Sequence, residues 1–297
     1  MPLAIAALLL GWPLSAPAQE EPEIDLPYLI KQLQEWRASF VSLHLSWERR
    51  ELTETTSQPL PDWSPPENWQ DTRPSTWFNW VWAEHGIDLL DQEWVHHDDG
   101  GRSRTLDVFN ADKNVKYHAV YEYPEQGDEI FKRLTTRWVG AEKPISHTEH
   151  HPTTGLYWPG TASWLSEHLE SHSSDWKLDG FEDVNGARCA RVVGKKHKND
   201  DSIETLWLDL DHDCLVRRYL RSGEKVVNLD RYIDEFQQLS NGIWFPMRGR
   251  AQMKTSYAPD IYNSLWTVTR VSVNQPLYDY RLDPPEPEYG TIVEKGG

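Results

Sequence analysis

The stretch WKLDGFEDVNGARCARVV at 176–193, continued by IETLWLDL at 203–210 and NGIWFP at 241–246, decides the fold. Short alternating apolar runs broken by turn residues read as consecutive antiparallel β-hairpins. The block carries no residue grouping suited to bond chemistry. Working outward, the chain N-terminal to it shows the same habit. Strands are expected over 76–83, 87–96, 102–110, 113–123 and 129–138, separated by His85-Gly86, Asp98-Asp99-Gly100-Gly101, Asn110 to Asp112 and Pro124 to Gly127. Breaks this short make flanking strands antiparallel neighbours. Ser264 to Asn274 reads as a last strand.

Two segments have helical spacing. Leu26, Leu29, Ile30, Leu33, Trp36 and Phe40 recur at three- and four-residue intervals after Asp25, predicting a helix over 25–39. The period then switches to two at Val41, Leu43, Leu45 and Trp47, as in a half-buried strand. Trp164, Leu165, His168 and Leu169 share one face of a second, short helix. The fold class is α+β, with about ten or eleven antiparallel strands, too many to stay flat and open. The expected form is a large, strongly curved half-barrel whose concave face is packed with the helices.

The first eighteen residues look like a secretory signal. Leu3 to Leu10 form an apolar core, Gly11-Trp12-Pro13 breaks it, and Ala16-Pro17-Ala18 gives the small-x-small pattern. The expectation is an exported protein, periplasmic or secreted, with one domain over 19–275 and an extended tail over 276–297. No later stretch reaches the roughly 20 apolar residues that span a bilayer, and no cysteine before Cys189 could carry a lipid. Thirty Lys and Arg against 47 Asp and Glu give a net charge of −17, which argues against nucleic acid as a partner. Two cysteines make no disulfide framework. With turns near 198 and 211, a bridge from Cys189 to Cys214 would cross a strand, so two free buried thiols are favoured.

Segments 55–75 and 140–161 are rich in proline and glycine and read as irregular excursions. The aromatic residues carry the functional reading. Of sixteen tryptophans, six lie from Trp63 to Trp94. Phe78, Trp80 and Trp82 share one face of their strand, and Val115, Tyr117, Ala119, Tyr121 and Tyr123 share a face of theirs. The plain reading is packing of large side chains; the functional one is an apolar cavity, or an aromatic platform for sugar rings. His96, His97, His147, Glu149 and His150 offer ligand types for a metal, though their order is not a His-Glu-x-x-His motif. Two solvated polar loops explain them more simply. Gly-x-Ser-x-Gly and phosphate-binding glycine loops are missing from the sequence.

Val184-Asn185-Gly186 with Cys189, Leu206-Trp207-Leu208-Asp209 followed by Arg217-Arg218-Tyr219, Asp234-Glu235-Phe236, Asn241 to Pro246, and Val271 to Asn274 carry a resemblance. Over about 110 residues, from near 164 to 275, this block resembles exported outer-membrane lipoprotein-sorting-like (LolA/LolB-like) proteins. The resemblance implies a half-barrel covered by helices and a non-enzymatic carrier of a hydrophobic or lipid-like ligand, an acylated lipoprotein among the candidates. On that reading Phe78, Trp80, Trp82, Tyr117, Tyr121, Trp164, Leu206 and Leu208 line the ligand, with no cofactor, no bound metal and no membrane insertion. The alternatives are a carbohydrate- or envelope-polymer-binding module using Trp63, Trp69 or Trp77, and a metal-dependent enzyme built on the histidines.

Overall fold

The computed structural model describes residues 23–54, 76–84, 87–95, 102–110, 115–123, 130–138, 157–158, 163–197, 200–223, 228–254, 261–276 and 292–296. The chain begins with helix α1 (Leu26–Ala38) and runs into strand β1 (Ser42–Glu54). A first block follows: β2 (Thr76–Ala83), β3 (Ile87–Val95), β4 (Arg102–Asn110), β5 (Val115–Tyr123) and β6 (Ile130–Trp138). Two short strands, β7 (Tyr157–Trp158) and β8 (Ser163–Trp164), pair with each other and lead into α2 (Leu165–Ser171). The second block is β9 (Trp176–Val184), β10 (Ala187–His197), β11 (Asp200–Asp209), β12 (Leu215–Ser222), β13 (Asn228–Gln238), β14 (Trp244–Lys254) and β15 (Ile261–Val273). A final strand, β16 (Ile292–Gly296), closes the order.

One sheet of fourteen strands takes in both blocks, in the order β16-β6-β5-β4-β3-β2-β1-β15-β14-β13-β12-β11-β10-β9. Every pairing in it is antiparallel except that of β16 with β6, which is parallel. The count exceeds the ten or eleven expected, and Ile292–Gly296 of the expected tail supplies one of the additions. The sheet is open, ending at β16 and β9, and a sheet of this width curls. Asn185 and Gly186, at φ of 52° and 78°, make the β9–β10 reversal, the left-handed pair that a two-residue hairpin demands.

Both helices lie on one face, called here the inner face. Leu29, Ile30, Leu33 and Trp36 of α1 and Leu165 and Leu169 of α2 join one buried apolar cluster with residues of β1, β2 and β10 to β15. Asp25 caps α1 as its spacing suggests, its carboxylate accepting from Tyr28 N at 2.8 Å. At the other end Asn274, at φ 58°, joins the helix exit to the sheet. Its side-chain amide donates to Ser39 O at 3.1 Å, and its amide oxygen accepts from Val41 N at 2.8 Å. Part of the outer face is also dry, with Val81, Leu89 and Val108 buried opposite the tryptophans.

Glycine is required where Trp266 crosses β14. A Cβ on Gly249 would stand 2.4 Å from both the Trp266 ring and the Tyr232 carbonyl oxygen. Gly249→Ala is therefore expected to destabilise the fold by about 1–3 kcal/mol, the usual cost of overpacking a filled site. Urea unfolding followed by tryptophan fluorescence measures it, and an unchanged midpoint would contradict this packing.

Candidate functional site

The inner face is where the aromatic residues converge. Trp36 anchors α1 across the sheet, its indole N–H donating to the Trp244 carbonyl of β14 at 2.9 Å. From there an aromatic cluster spreads over the end of β2. Trp36 and Phe40 meet edge to face at 4.9 Å, Phe40 and Trp164 at 5.6 Å, and Trp164 and Trp82 at 5.4 Å. Deeper along the sheet, Trp47 and Phe78 stack face to face at 4.6 Å. Edge-to-face contacts of this kind add to the burial of large rings.

Arg37 stands in the middle of that cluster. Its guanidinium lies 4.3 Å from the Trp82 ring and 4.7 Å from Trp164, and its Nη1 donates to Phe40 O at 3.0 Å. Burial lowers its pKa from the ordinary arginine value, against the opposing pull of Glu84 and Glu167. The residue thus links α1, β2 and the start of α2 through ring faces. A second tie joins the helices directly, Gln34 Nε2 donating to Glu170 Oε2 at 3.0 Å. At the entry to α2, the Trp164 amide donates to Glu167 Oε2 at 3.1 Å.

Six of the eight residues expected to line a ligand belong to the larger buried apolar cluster of the inner face. Phe78, Trp80, Trp82, Trp164, Leu206 and Leu208 are all buried members of it. Trp82 and Trp164 touch, whereas Leu206 and Leu208 on β11 are six strands from β2, roughly 29 Å along the sheet at the usual spacing. Tyr121 is placed elsewhere. It pairs in register with Arg104, which pairs with Glu93, which pairs with Trp77, so it shares the outer face with Trp77. The Arg104 guanidinium covers its ring at 5.5 Å. Tyr117 stands in register with Val108, and its side chain lies outside the described residues.

His96, His97, His147, Glu149, His150, Trp63 and Trp69 also lie outside the described residues, and Trp77 is half-buried on the outer face. Among the described residues no group of three or more His, Cys, Asp or Glu side chains gathers in a metal-holding arrangement. The sequence reading passed over Arg37, although its position one residue after Trp36 at the end of an apolar stripe is visible there. It also missed the inward-facing charges of the C-terminal block, Glu204 and Arg231.

Comparison with known protein families gives no matching model, and no curated protein matches in sequence. Among solved structures, the chain is similar to a DUF1329 family protein from Desulfovibrio piger, with 11% identity over 87% of this chain and 97% of that one, at a TM-score of 0.39. It is also similar to a putative outer membrane lipoprotein-sorting protein domain from Vibrio parahaemolyticus, with 11% identity over 86% and 95% of the two chains and a TM-score of 0.44. MucB covers 88% of this chain and is itself covered to 62%, with 11% identity and a TM-score of 0.25. Scores at that level leave the reading of the site to the chain's own residues.

Replacing Arg37 with methionine keeps an apolar stem and removes the guanidinium. A desolvated cation–π contact contributes up to about 2 kcal/mol, so Arg37→Met is expected to lower stability by roughly 1–2 kcal/mol. Hydrogen exchange should quicken in α1 and α2 while β11–β14 keep their protection; equal exchange in the helices would contradict a fastening role.

Cys189 and Cys214 are free and buried. Burial first, then Asp209 for Cys189 and Asp213 for Cys214, pushes each thiol from 9.0 to about 12. A raised thiol pKa favours the folded state below about 9, and that contribution disappears as pH rises from 9 to 12. Iodoacetamide at pH 8 is expected to leave both thiols untouched in the native protein and to label both in urea. Labelling of the native protein would overturn this.

Proposed function

We propose that this protein is an exported, non-enzymatic carrier that shelters a hydrophobic or lipid-like ligand between the inner face of its sheet and the α1–α2 pair. The observation that carries the reading is the manner of covering. A tryptophan-rich apolar face is covered by helices of thirteen and seven residues. Helices this short have little stability of their own in water. They are fastened by the Trp36 and Gln34 hydrogen bonds and by Arg37 between two indoles. Displacing them exposes apolar surface without breaking the sheet ladder.

An alkyl chain can replace that contact. At about 0.8 kcal/mol per buried methylene, ten methylenes contribute roughly 8 kcal/mol, enough to offset the lifting of a short helix pair. Burial of apolar surface involves no reacting group. An acylated protein is one form such a ligand can take, its chain sheltered and its polypeptide outside. Export rests on the signal-like residues 1–18, and among the described residues no helix is long and apolar enough to cross a membrane.

The test is native mass spectrometry after mild purification, together with titration of the uncharged fluorescent probe N-phenyl-1-naphthylamine. The expected result is co-purifying lipid or saturable probe uptake, with faster probe exchange in the Arg37→Met variant. A protein that carries no lipid and takes up no probe would end this reading.

A further inference from the structure

Among the described residues, only the turn between β11 and β12 places two successive residues other than glycine in left-handed backbone, Asp213 at φ 54° and Cys214 at φ 55°. The Leu215 amide donates to His212 O at 3.0 Å and closes the reversal across them. A reversal of this hand favours asparagine followed by glycine, and a cysteine at the second position gives that up. Backbone held in this region persists only where its surroundings fix it. The side chains of the turn show what does so. Cys214 is buried in the apolar cluster of the inner face. The His212 ring stacks on Phe236 of β13 at 5.1 Å and meets Trp244 of β14 edge to face at 4.5 Å. Its Nδ1 stands 3.0 Å from Oδ2 of the fully buried Asp209. Asp213 Oδ2 accepts from the Trp244 amide at 3.4 Å.

Trp244 is also where α1 is fastened, since its carbonyl accepts from the Trp36 indole at 2.9 Å. One residue is thus gripped at its amide and ring by the turn and at its carbonyl by the helix. The helix returns to the turn at its other end. Tyr28, in the first turn of α1, packs against the same apolar cluster. Burial raises the pKa of its hydroxyl, and Cys214 lies near enough to add to the rise. The base of the turn is fixed to the sheet, because Arg217 of β12 donates both to Asp209 of β11 at 2.8 Å and to Ile233 O of β13 at 3.1 Å. We propose that the β11–β12 turn is the latch seat of the helical cover: His212 and Asp213 hold Trp244 where Trp36 reaches its carbonyl, and α1 leaves the sheet when that grip is lost. Both are positioning residues that act through Trp244. This inference rests on the carrier reading and adds to it the residues that set how fast a ligand enters and leaves.

A role confined to the hairpin predicts a different outcome. Asp213→Gly removes the carboxylate and relieves the left-handed strain together, because glycine takes positive φ at no steric cost. If the turn serves only its hairpin, that variant is at least as stable as the parent and α1 is unaffected. If the turn holds the cover, α1 loosens although the hairpin does not. The two thiols report the difference. Cys214 belongs to the inner cluster that α1 covers, Cys189 to the separate cluster of the outer face, and a buried thiol is alkylated only through local opening.

Alkylation of the native full chain by iodoacetamide at pH 8, followed by peptide mass spectrometry, separates these cases. Asp213→Gly and His212→Ala are expected to label Cys214 roughly tenfold or more faster than the parent while Cys189 stays protected. Hydrogen exchange should quicken in α1 and not in β11 to β13, and bound N-phenyl-1-naphthylamine should leave several-fold faster. His212→Phe keeps a ring against Phe236 and Trp244 and should restore most of the protection. Unchanged labelling of Cys214 in Asp213→Gly, or equal labelling of both thiols, would overturn the latch while leaving the carrier reading intact. Selective labelling of Cys214 with no probe uptake by any of these proteins would uphold the latch and end the carrier reading. Should His212→Ala fail to fold by circular dichroism, Asp213→Gly and His212→Phe decide.

Discussion

Twelve registered pairs, from Leu43 opposite Val273 to Glu54 opposite Ile261, join β1 to β15 and so join two blocks of strands into one surface. Without that ladder β1–β6 and β9–β15 would each present an additional unpaired edge, and such edges recruit other chains. The seam pairs the beginning of the described chain with its last long strand, so nearly all the sequence between must be accommodated before it closes. Contacts of such separation are slow to form. Their geometry is correspondingly guarded. Trp47 and Trp266 flank the seam on the inner face, each almost fully buried, and Gly249 leaves the space that Trp266 occupies. Asn274 then ties the seam to the end of α1.

A fourteen-strand sheet is roughly 60 Å wide at the usual spacing, whereas α1 is only about 20 Å long. Two short helices cannot cover such a face in the ordinary way, and the sheet fills the gap with its own large side chains. Trp47, Trp80, Trp82 and Trp266, all buried on the inner face, do much of that filling. The outer face meets the same demand differently. Arg218 lies between Trp207 at 4.6 Å and Tyr232 at 4.7 Å, held there by a two-point contact with Asp230 at 3.0 and 2.9 Å. A guanidinium spread over rings keeps its charge near water while its flat face covers apolar surface. At the β11–β12 turn the fully buried Asp209 accepts from Arg217 Nε at 2.8 Å, and Phe236 closes over that guanidinium at 4.6 Å. Breaking such a pair by removing one partner typically costs about 3–5 kcal/mol, so the turn is fixed firmly.

The elements and their order were legible because alternation and turn residues are local signals. The helix over 25–39, its Asp25 cap and the hairpins from Trp176 onward could be read directly. The relation between distant elements could not. Phe78, Trp80 and Trp82 share a face, and Ala119 and Tyr121 share a face, but which side each set occupies depends on the register passed through three hairpins. A shift of one residue at any turn reverses the answer, and Tyr121 accordingly lies outside with Arg104. The bulge of β12 opposite Trp207 and Leu208 has the same character, whereas that of β9 opposite Arg191 falls beside Gly180, at φ 126°, a glycine within a strand pattern. Arg231 was hidden for a further reason. In β13 both alternating sets contain apolar residues, Leu229 and Ile233 on one side and Tyr232 on the other, so periodicity alone does not say which charge turns inward.

The two ends of the inner face are held by different chemistry. Near Asn274 the helix pair is held by ring contacts and short-range hydrogen bonds, with Arg37 half-buried among the rings. Contacts of that kind depend weakly on salt, because screening acts on charges that solvent can reach. Around Arg231 the same face carries buried charge, with Glu204 accepting from the Tyr219 hydroxyl at 3.0 Å and Arg49 Nη2 3.2 Å from Glu51 Oε1. Charges withdrawn from solvent in this way are little screened, and removing one partner is costly, so their geometry has to be kept. The sheet is thus held along its ladder and by ions inside its face, whereas the helix pair is held on that face by rings and hydrogen bonds alone, and the two can part without the ladder being broken.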